Sequence, residues 1–300
     1  MLKIAFAKNY AHSLPAKHRF PMLKYELMPE QLIYEGTVTE DSFFAPAQLD
    51  EPTILRTHDL EYWEKLKNLA LTRKEERATG FPLSKELVER EITIAQGTID
   101  CAKYALEYGV SMNIAGGTHH AFTNRGEGFC LLNDIGIASN YLLDNGLVNK
   151  ILVVDLDVHQ GNGTAEVFRN EDRVFTFSMH GEKNYPLRKE QSDLDIGLPD
   201  GADDDLYLSH LSNTLPMLID MVEPEFIFFQ SGVDVLATDK LGRLGLTIQG
   251  CKQRDKIVFE HCKNNNIPVG VSMGGGYSES IAVIIEAHAN TYRLAQDLFF

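Results

Sequence analysis

Short apolar runs recur along the chain, each of strand length and rich in β-branched or aromatic residues. None of them alternates cleanly between apolar and polar positions. This pattern indicates strands that are buried on both faces, as in a parallel sheet. The runs are LKIAFA (2–7), SMNIAGG (111–117), KILVVDLD (150–157), RVFTFSMH (173–180), EFIFFQSGVD (225–234) and PVGVSMGGG (268–276).

The segments between these runs have helical character. Leu211, Leu215 and Leu218, for example, share one face of a helix. The alternation of strands and helices predicts an α/β fold, in which a central, mostly parallel β-sheet is flanked by helices on both faces. No linker or repeat interrupts the chain, so we predict a single domain over residues 1–300. Residues 8–85 are less regular and are expected to form helices and loops at one rim. The predicted helices span 86–108, 133–145, 204–222 and 247–265.

Composition narrows the function classes. Of the 300 residues, 44% are hydrophobic and 24% are charged, which is typical of a globular protein and excludes intrinsic disorder. No apolar run approaches the roughly 18 residues that a membrane span needs. The 28 basic and 43 acidic residues give a net charge of −15, which disfavours direct nucleic-acid binding. Four cysteines without a CxxC pair suggest no disulfide framework, and without a recognisable targeting segment we expect a cytoplasmic protein.

Polar residues that could take part in catalysis or ligand binding follow most of the predicted strands. His119 and His120, His159, Asp234 and Tyr277 each lie at or just beyond the end of a different apolar run. In open parallel sheets the carboxyl ends of the strands share one edge, and ligands bind there. We therefore expect these residues, although distant in sequence, to meet in one crevice.

Asp155, Asp157 and His159 indicate a metal site. Their i, i+2, i+4 spacing places them on one face if the strand stays extended. A buried carboxylate is costly unless it is paired or bound to a cation, and here two lie on the same face. The alternative is that these residues cap the next helix through QGNG (160–163) or form salt bridges.

Asp234 adds an oxygen ligand from another strand end. Asp157, His159 and Asp234 would form a mixed oxygen and nitrogen site, and three protein ligands with an open position are the catalytic arrangement of zinc. The lack of cysteine ligands argues against a structural zinc site. Fe²⁺ accepts the same set of one histidine and two carboxylates, so the metal is less certain than the site.

Proton transfer and carbonyl polarisation have candidates in the same crevice. The imidazoles of His119 and His120 titrate in the range needed to take a proton from a water that a metal activates. Asp155 would orient one ring and Asn162 the other. Tyr277 follows a run of glycines and would donate a hydrogen bond to a developing oxyanion. The alternatives are satisfied core histidines and a packing role for the tyrosine.

A loop after the two histidines contains Gly128, Phe129 and Cys130. Phe129 would form the wall of a narrow apolar channel. Cys130 is interpreted as a small buried residue, and the alternative of a reactive nucleophile is weaker.

These residues and motifs resemble those of the zinc-dependent histone deacetylase family, within the arginase/deacetylase fold. The similarity runs from about residue 55 to the end of the chain, and it is greatest to class IV and its bacterial relatives. The matching stretches, in the family's order, are GGTHHA (116–121), GEGFCLLND (126–134), VVDLDVHQGNG (153–163), FSMH (177–180), SGVDVLATDKLGRL (231–244) and GGGY (274–277).

The resemblance implies a role for each matching residue. His120 would be the general base and later acid, His119 its partner, and Tyr277 the carbonyl-polarising residue. Asp155 and Asn162 would be hydrogen-bonded to the two histidines. The implied zinc ligands are Asp157, His159 and Asp234. The implied channel residues are Gly128, Phe129, Leu241 and Gly275. The family also binds potassium, and the matching positions are Asp155, Asp157, His159, Ser178 and Met179.

The chain departs from class I members of the family at two places. Gln160 and Asn162 stand where those members carry His and Asp, and a neutral Asn supports an imidazolium less than a carboxylate does. The loop 181–191 also differs, which leaves the channel wall opposite Phe129 unassigned, with Tyr185 as a candidate.

The sequence thus predicts a zinc-dependent hydrolase that removes acetyl or longer acyl groups from Nε-acyl-lysine in proteins or peptides. An alternative is the same chemistry on acetylpolyamines or other small N-acyl amines. A different class of function is a non-catalytic scaffold that binds acyl-lysine, and a binuclear manganese ureohydrolase is less favoured because its additional ligands are lacking. No direct nucleic-acid or membrane partner is expected.

Overall fold

The computed structural model describes residues 1–300, and eight strands form its single sheet. The strands are β1 (Lys3–Ala5), β2 (Phe43–Phe44), β3 (Val110–Asn113), β4 (Ile151–Asp155), β5 (Val174–Gly181), β6 (Leu194–Leu198), β7 (Phe226–Gln230) and β8 (Val269–Ser272). Their order is β2-β1-β3-β8-β7-β4-β5-β6, and every neighbouring pair is parallel. The predicted α/β class with a central parallel sheet is therefore confirmed.

Ten helices flank the sheet. They are α1 (Lys24–Tyr34), α2 (Glu51–Ile54), α3 (Leu60–Lys67), α4 (Arg73–Thr79), α5 (Lys85–Tyr108), α6 (Asp134–Asp144), α7 (Asn162–Val167), α8 (Asp204–Val222), α9 (Ile248–Asn264) and α10 (Ile281–Phe299). The four predicted helices correspond to α5, α6, α8 and α9 within one residue at either end. No helix combines the length and the apolar character that crossing a membrane requires.

Side-chain caps explain why these four helices begin where the sequence predicts. At each N-terminus a short polar side chain accepts a hydrogen bond from the backbone N–H three residues later, which satisfies a donor that the helix leaves free. The capping residues are Ser84, Asn133, Asp203 and Thr247.

Several predicted strands end earlier than their apolar runs. β3 stops at Asn113 and β8 at Ser272, whereas the runs continue to 117 and 276. Gly116, Gly117 and Gly274 have φ angles of 78°, 75° and 70°, a left-handed region that favours glycine and breaks the extended backbone. The chain therefore turns at the carboxyl edge of the sheet, and the residues beyond each strand form loops there.

Two strands and several helices were not predicted. β2 has only two residues, and β6 is a half-exposed edge strand without a continuous apolar run. α10 follows the last apolar run and packs against α9 and α1. The rim at 8–85, expected to hold helices and loops, also supplies β2 to the sheet.

Arg254 of α9 joins the helical layer to the carboxyl edge of the sheet. Its side chain is fully buried, and its Nη1 donates to the carbonyl oxygens of Leu156 at 3.1 Å and Gly232 at 2.6 Å. Nη2 donates to the carbonyl of Ser231, and Nε donates to Asp255. One buried cation thus fixes the loops that follow β4 and β7, and Asp255 balances its charge.

Glu35 and Arg293 connect α1 to α10, and replacing Glu35 with Gln tests this link. Arg293 donates to the two Glu35 carboxylate oxygens at 2.8 and 2.6 Å. These hydrogen bonds, together with those from Thr37 and Gln31, lower the pKa of Glu35 to about 2. Burial acts to raise the pKa, but its effect is smaller. We expect Glu35→Gln to lower the free energy of unfolding at pH 7 by about 1 kcal/mol, since the pair is partly exposed.

The pH dependence gives the sign of this effect. Because the folded-state pKa of Glu35 is depressed, its stabilisation is present above the unfolded-state pKa and is lost as pH falls from 4.5 toward 2. Urea unfolding across this range should show the two proteins converging at low pH. Glu30→Gln, at an exposed position of the same helix, is the matched control. A difference that persisted unchanged at pH 2 would contradict the assignment.

Candidate active site

The loops beyond β3, β4, β7 and β8 surround one crevice at the carboxyl edge of the sheet. β8 and β7 are neighbours, as are β7 and β4, and β3 borders β8 on its other side. The residues that follow these strands are His119 and His120, Asp157 and His159, Asp234, and Tyr277. The expectation that distant residues meet at this edge is thus met by their placement.

The ligand atoms of Asp157, His159 and Asp234 lie within 4.8 Å of one another. His159 Nδ1 is 3.0 Å from Asp157 Oδ1 and 3.3 Å from Asp234 Oδ2. All three residues are buried. One imidazole and two carboxylates therefore converge on a single point.

The spacing argument for this cluster needs a correction. β4 ends at Asp155, so Asp157 and His159 lie in a loop and not along an extended strand. Instead, Asp155 Oδ1 accepts a hydrogen bond from the Asp157 N–H at 3.2 Å, and Asp157 Oδ1 accepts one from the His159 N–H at 3.0 Å. Each carboxylate thus binds the backbone N–H two residues later, so the loop turns sharply. Asp157 and His159 then lie near Asp234, and Asp155 contacts His119 instead.

The cluster fits a divalent cation. Asp234 Oδ2 is buried and has no hydrogen-bond partner, and burial with the nearby Asp157 raises the pKa of Asp234 to about 7. A Cβ on Gly275 would lie 2.0 Å from this oxygen, so the glycine leaves the space beside it open. A cation would relieve the repulsion between the carboxylates, and zinc and Fe²⁺ both accept this donor set.

Backbone donors hold the two carboxylates in place. Asp157 Oδ2 accepts from the N–H of Gly275 at 3.0 Å, and Asp234 Oδ1 accepts from the N–H of Val158, also at 3.0 Å. Because each carboxylate is anchored from the loop of another strand, the loops after β4, β7 and β8 are mutually fixed.

His119 and His120 are adjacent rings with separate partners. His119 Nδ1 donates to Asp155 Oδ2 and His120 Nδ1 donates to Asn162 Oδ1, each at 2.6 Å. The ring centroids are 4.1 Å apart. A carboxylate or amide oxygen only accepts, so each Nδ1 carries the proton and each Nε2 remains available.

The surroundings shift the pKa values of the two histidines in opposite directions. Burial lowers the pKa of His120 well below its usual value, and His119 and His159 lower it further. Burial also acts to lower the pKa of His119, but Asp155 and Asp157 outweigh it and the net shift is upward. Environments that separate the pKa values of two neighbouring groups are typical of a pair with distinct proton-transfer roles.

Tyr277 lies on the loop after β8 and lines the same cavity as Asp157 and His159. Its N–H donates to Asp239 Oδ2 at 2.6 Å, and Asp239 Oδ1 accepts from the N–H groups of Leu241 and Gly242. Burial, with Asp234 and Asp157, raises the pKa of the phenol well above its usual range. The hydroxyl therefore stays protonated at neutral pH and is available as a donor.

A cavity of about 460 Å³ leads to these groups, and Phe129 and Tyr185 line it. The Tyr185 ring meets His120 edge-on, with centroids 4.9 Å apart, and its hydroxyl donates to Glu127 Oε2 at 2.7 Å. A Cβ on Gly128 would lie 2.6 Å from His120 Cδ2, which explains the glycine before Phe129. The four residues predicted to line the channel all border this cavity: Gly128, Phe129, Leu241 and Gly275.

The positions expected to hold potassium lie at the end of β4, within β5 and in the loop after β4. Asp155 and Ser178 are register partners in these neighbouring strands, and Met179 follows in β5. The Ser178 hydroxyl is 2.9 Å from His180 Nδ1. Asp157 and His159 complete the set in the loop after β4.

Sequence reasoning did not single out three residues that shape the site, of which Asp134 and Lys24 are buried and Asp239 is half-buried. Asp134 accepts from the Thr118 N–H at 2.8 Å and so holds the turn before the histidines. Asp239 links the Tyr277 and Leu241 loops. Both lie inside stretches that resemble the family, which was the available signal.

Lys24 is the third of these residues, and it comes from the less regular region near the N-terminus. It is fully buried, and its Nζ donates to the carbonyl of Gly274 at 2.9 Å. The ammonium also lies 6.0 Å from the centre of the Tyr277 ring. No sequence pattern connected Lys24 to a loop 250 residues away.

Comparisons with known proteins show similarity in sequence and in fold. The sequence matches the histone deacetylase domain model over residues 18–292. It is 40% identical to an uncharacterized protein of Picosynechococcus sp., over 99% of each chain, and 30% identical to histone deacetylase 2 of Arabidopsis thaliana, over 89% of this chain and 72% of that one. A crystal structure of an HDAC homolog from Aquifex aeolicus is similar in fold, with a TM-score of 0.82 at 23% identity, over 97% of this chain and 82% of that one.

Replacing Asp234 with Asn tests the metal site without an activity assay. We expect the zinc affinity to fall by more than the roughly 10- to 100-fold that follows loss of an outer-shell partner. Zinc content after dialysis, measured by mass spectrometry, should therefore drop well below that of the unaltered protein. The metal-free variant should unfold at a higher temperature than the metal-free parent, because Asn removes the repulsion from Asp157.

Asp220→Asn provides the matched control, since Asp220 is exposed on α8. It should leave both the zinc content and the unfolding temperature unchanged. Full zinc retention in Asp234→Asn would show that Asp234 is not a ligand.

Proposed function

The chain belongs to the histone deacetylase family, and from this premise we propose that it removes acetyl or longer acyl groups from the Nε-acyl-lysine of proteins or peptides by zinc-dependent hydrolysis. The observation that carries the proposal is that His120, Tyr277, Asp157 and His159 line one cavity, and that Asp157 and His159 form a buried group with Asp234. A donor, a base and a cation site within one crevice are what hydrolysis of an unactivated amide requires.

Asp157, His159 and Asp234 would hold the metal. Zinc bound there would supply Lewis acidity, which activates a water and polarises an acyl carbonyl. Fe²⁺ suits the same ligands and is the alternative metal. The backbone N–H groups on the carboxylates keep the ligands oriented when the metal is absent.

His120 is the general base of the proposed mechanism. Its Nδ1 proton is engaged by Asn162, so Nε2 is the atom free to take a proton from the attacking water. The same nitrogen then gives the proton to the leaving amine. The neutral Asn162 holds the ring without adding a negative charge, so it orients the base more than it strengthens it.

Tyr277 and His119 complete the polar machinery. The protonated phenol of Tyr277 would donate to the carbonyl oxygen as negative charge develops on it. His119 is held by Asp155 and lies against His120, whose pKa it lowers, so it favours release of the proton to the leaving amine. Asp239 and Lys24 fix the loop that carries Tyr277 and act as positioning residues.

The channel would bind the aliphatic part of the substrate. Phe129 and Tyr185 give it apolar walls that exclude water from the reacting atoms. Gly128 lets the wall approach His120 closely. The straight side chain of an acyl-lysine suits a channel of this kind, and so does a small N-acyl amine.

We also propose a potassium ion beside the zinc, held by oxygens of Asp155, Asp157, His159, Ser178 and Met179. The support is the register of Asp155 with Ser178, which brings oxygen-bearing residues of β4 and β5 together. Hard oxygen ligands are what such a cation accepts. A scaffold that only binds acyl-lysine would not need this complete set of catalytic groups.

Tyr277→Phe tests the mechanism. Loss of the phenolic donor should lower kcat by about 100- to 1,000-fold, the usual effect of removing one oxyanion donor, with KM and zinc content nearly unchanged. Steady-state kinetics on an acetyl-lysine peptide would measure this. Tyr34→Phe, at a side chain that is 90% exposed, is the control and should retain full activity. A zinc-loaded Tyr277→Phe protein with full activity would rule out the assigned role.

A substrate panel tests the proposed function itself. Acetyl-lysine peptides, longer acyl-lysine peptides and acetylated polyamines should be compared, with chelated enzyme as the control. We expect hydrolysis of at least one acyl-lysine peptide and its loss on chelation. Absence of turnover on every substrate by the zinc-loaded protein would refute the hydrolase assignment.

A further inference from the structure

Arginines without partners flank the channel entrance. Arg19 and Arg77 both line the cavity, and Arg73 borders the adjoining surface depression next to Arg77. None of the three makes an ion pair or a side-chain hydrogen bond within the chain, whereas most other arginines are paired with carboxylates or bonded to the backbone. Three free guanidinium groups at one entrance are unexpected in a chain with a net charge of −15.

Two of these arginines lie next to the channel wall. The Arg19 guanidinium lies 5.4 Å from the centre of the Phe129 ring, the ring that lines the channel. Arg77 belongs to α4, and the two residues that follow it in this helix accept hydrogen bonds from the channel wall. The Gly128 N–H donates to the Ala78 carbonyl, and the Phe129 N–H donates to the Thr79 carbonyl. Arg19 therefore lies against Phe129, and Arg77 lies on the helix that is hydrogen-bonded to the backbone of Phe129.

The carboxylates in this sector are already occupied. Glu127 accepts hydrogen bonds from Arg125 Nε at 2.8 Å and from the Tyr185 hydroxyl at 2.7 Å. Glu76 Oε1 accepts from the Leu83 N–H at 3.3 Å. Glu127 is paired with Arg125, whereas Glu76 keeps its charge and is outnumbered by the three arginines. The entrance therefore carries a net positive charge on the Phe129 side, and a cationic substrate would meet like charge there.

We propose that this entrance recognises a carboxylate carried by the substrate on the amine side of the scissile amide. This inference rests on the proposed hydrolase function and names its substrate class: anionic acyl-lysine compounds. The guanidinium group suits a carboxylate because it presents two parallel N–H donors. Cationic acetylpolyamines are the class that this entrance disfavours.

The carboxylate can come from two sources. In an acidic peptide it belongs to side chains that flank the acyl-lysine, and in a small acyl amino acid it is the α-carboxylate itself. Three peptides that differ only at the flanking positions, with Glu, Gln or Lys, address the first source. Nα-acetyl-Nε-acetyl-lysine and its neutral methylamide address the second.

The expected order of kcat/KM is Glu above Gln above Lys, at roughly two- to fivefold for each contacting arginine, which is the usual strength of an exposed ion pair. The preference should shrink as salt rises from low to high concentration, because exposed charges are screened. In Arg19→Gln/Arg77→Gln the ratio of the Glu peptide to the Lys peptide should fall toward one. Lys74→Gln removes a charge from the same helix outside the channel and should keep the ratio.

The outcomes separate this inference from the function on which it rests. Equal turnover of the Glu and Lys peptides, or faster turnover of acetylspermidine than of any acidic substrate, would overturn the carboxylate inference and leave the hydrolase intact. If the preference for the Glu peptide over the Lys peptide also disappeared in Lys74→Gln, the effect would come from overall charge, and the carboxylate inference would be overturned. No turnover of the neutral peptide or of any other substrate would refute the proposed function first.

Discussion

Buried negative charge at one edge of the sheet is the constraint on which the rest of the site depends. Asp155, Asp157 and Asp234 are each at most 3% exposed, where an unpaired carboxylate is strongly unfavourable. The chain compensates with backbone N–H groups, with the imidazoles of His119 and His159, and with space for a cation. These partners come from the loops after β3, β4 and β8. The need to compensate the carboxylates therefore determines how the loops beyond the strands are arranged.

Such an arrangement requires the backbone to come close to the charged atoms. A Cβ on Gly232 would lie 2.3 Å from Asp157 Oδ2, and one on Gly275 would lie 2.0 Å from Asp234 Oδ2. Arg254 donates a hydrogen bond to the carbonyl oxygen of Gly232, so the same backbone position also contacts the buried helical layer. The electrostatics of the site and the packing of the core therefore rest on the same few backbone positions, and a substitution at either glycine affects both.

The sequence was most informative where a feature depends on neighbours along the chain. Six of the eight strands, the four capped helices and the polar residues after most strands could be predicted because spacing and composition are local. Lys24 could not, since its place follows from a contact with Gly274 that only the tertiary structure creates. Tyr185 was only a candidate for the channel wall, because its contact with His120 also depends on the tertiary structure. The ends of β3 and β8 were extended too far because apolar residues continue into turns that glycine permits.

The strand order has a consequence for how the protein is made. β8 is the last strand in the chain, yet it lies between β3 and β7 in the middle of the sheet. During synthesis on the ribosome the sheet is therefore two separate halves, each with an unpaired edge, until Ser272 has emerged. Tyr277 follows only a few residues later. The crevice therefore lacks one of its walls until the last strand and the loop beyond it have been translated, and only α10 follows them.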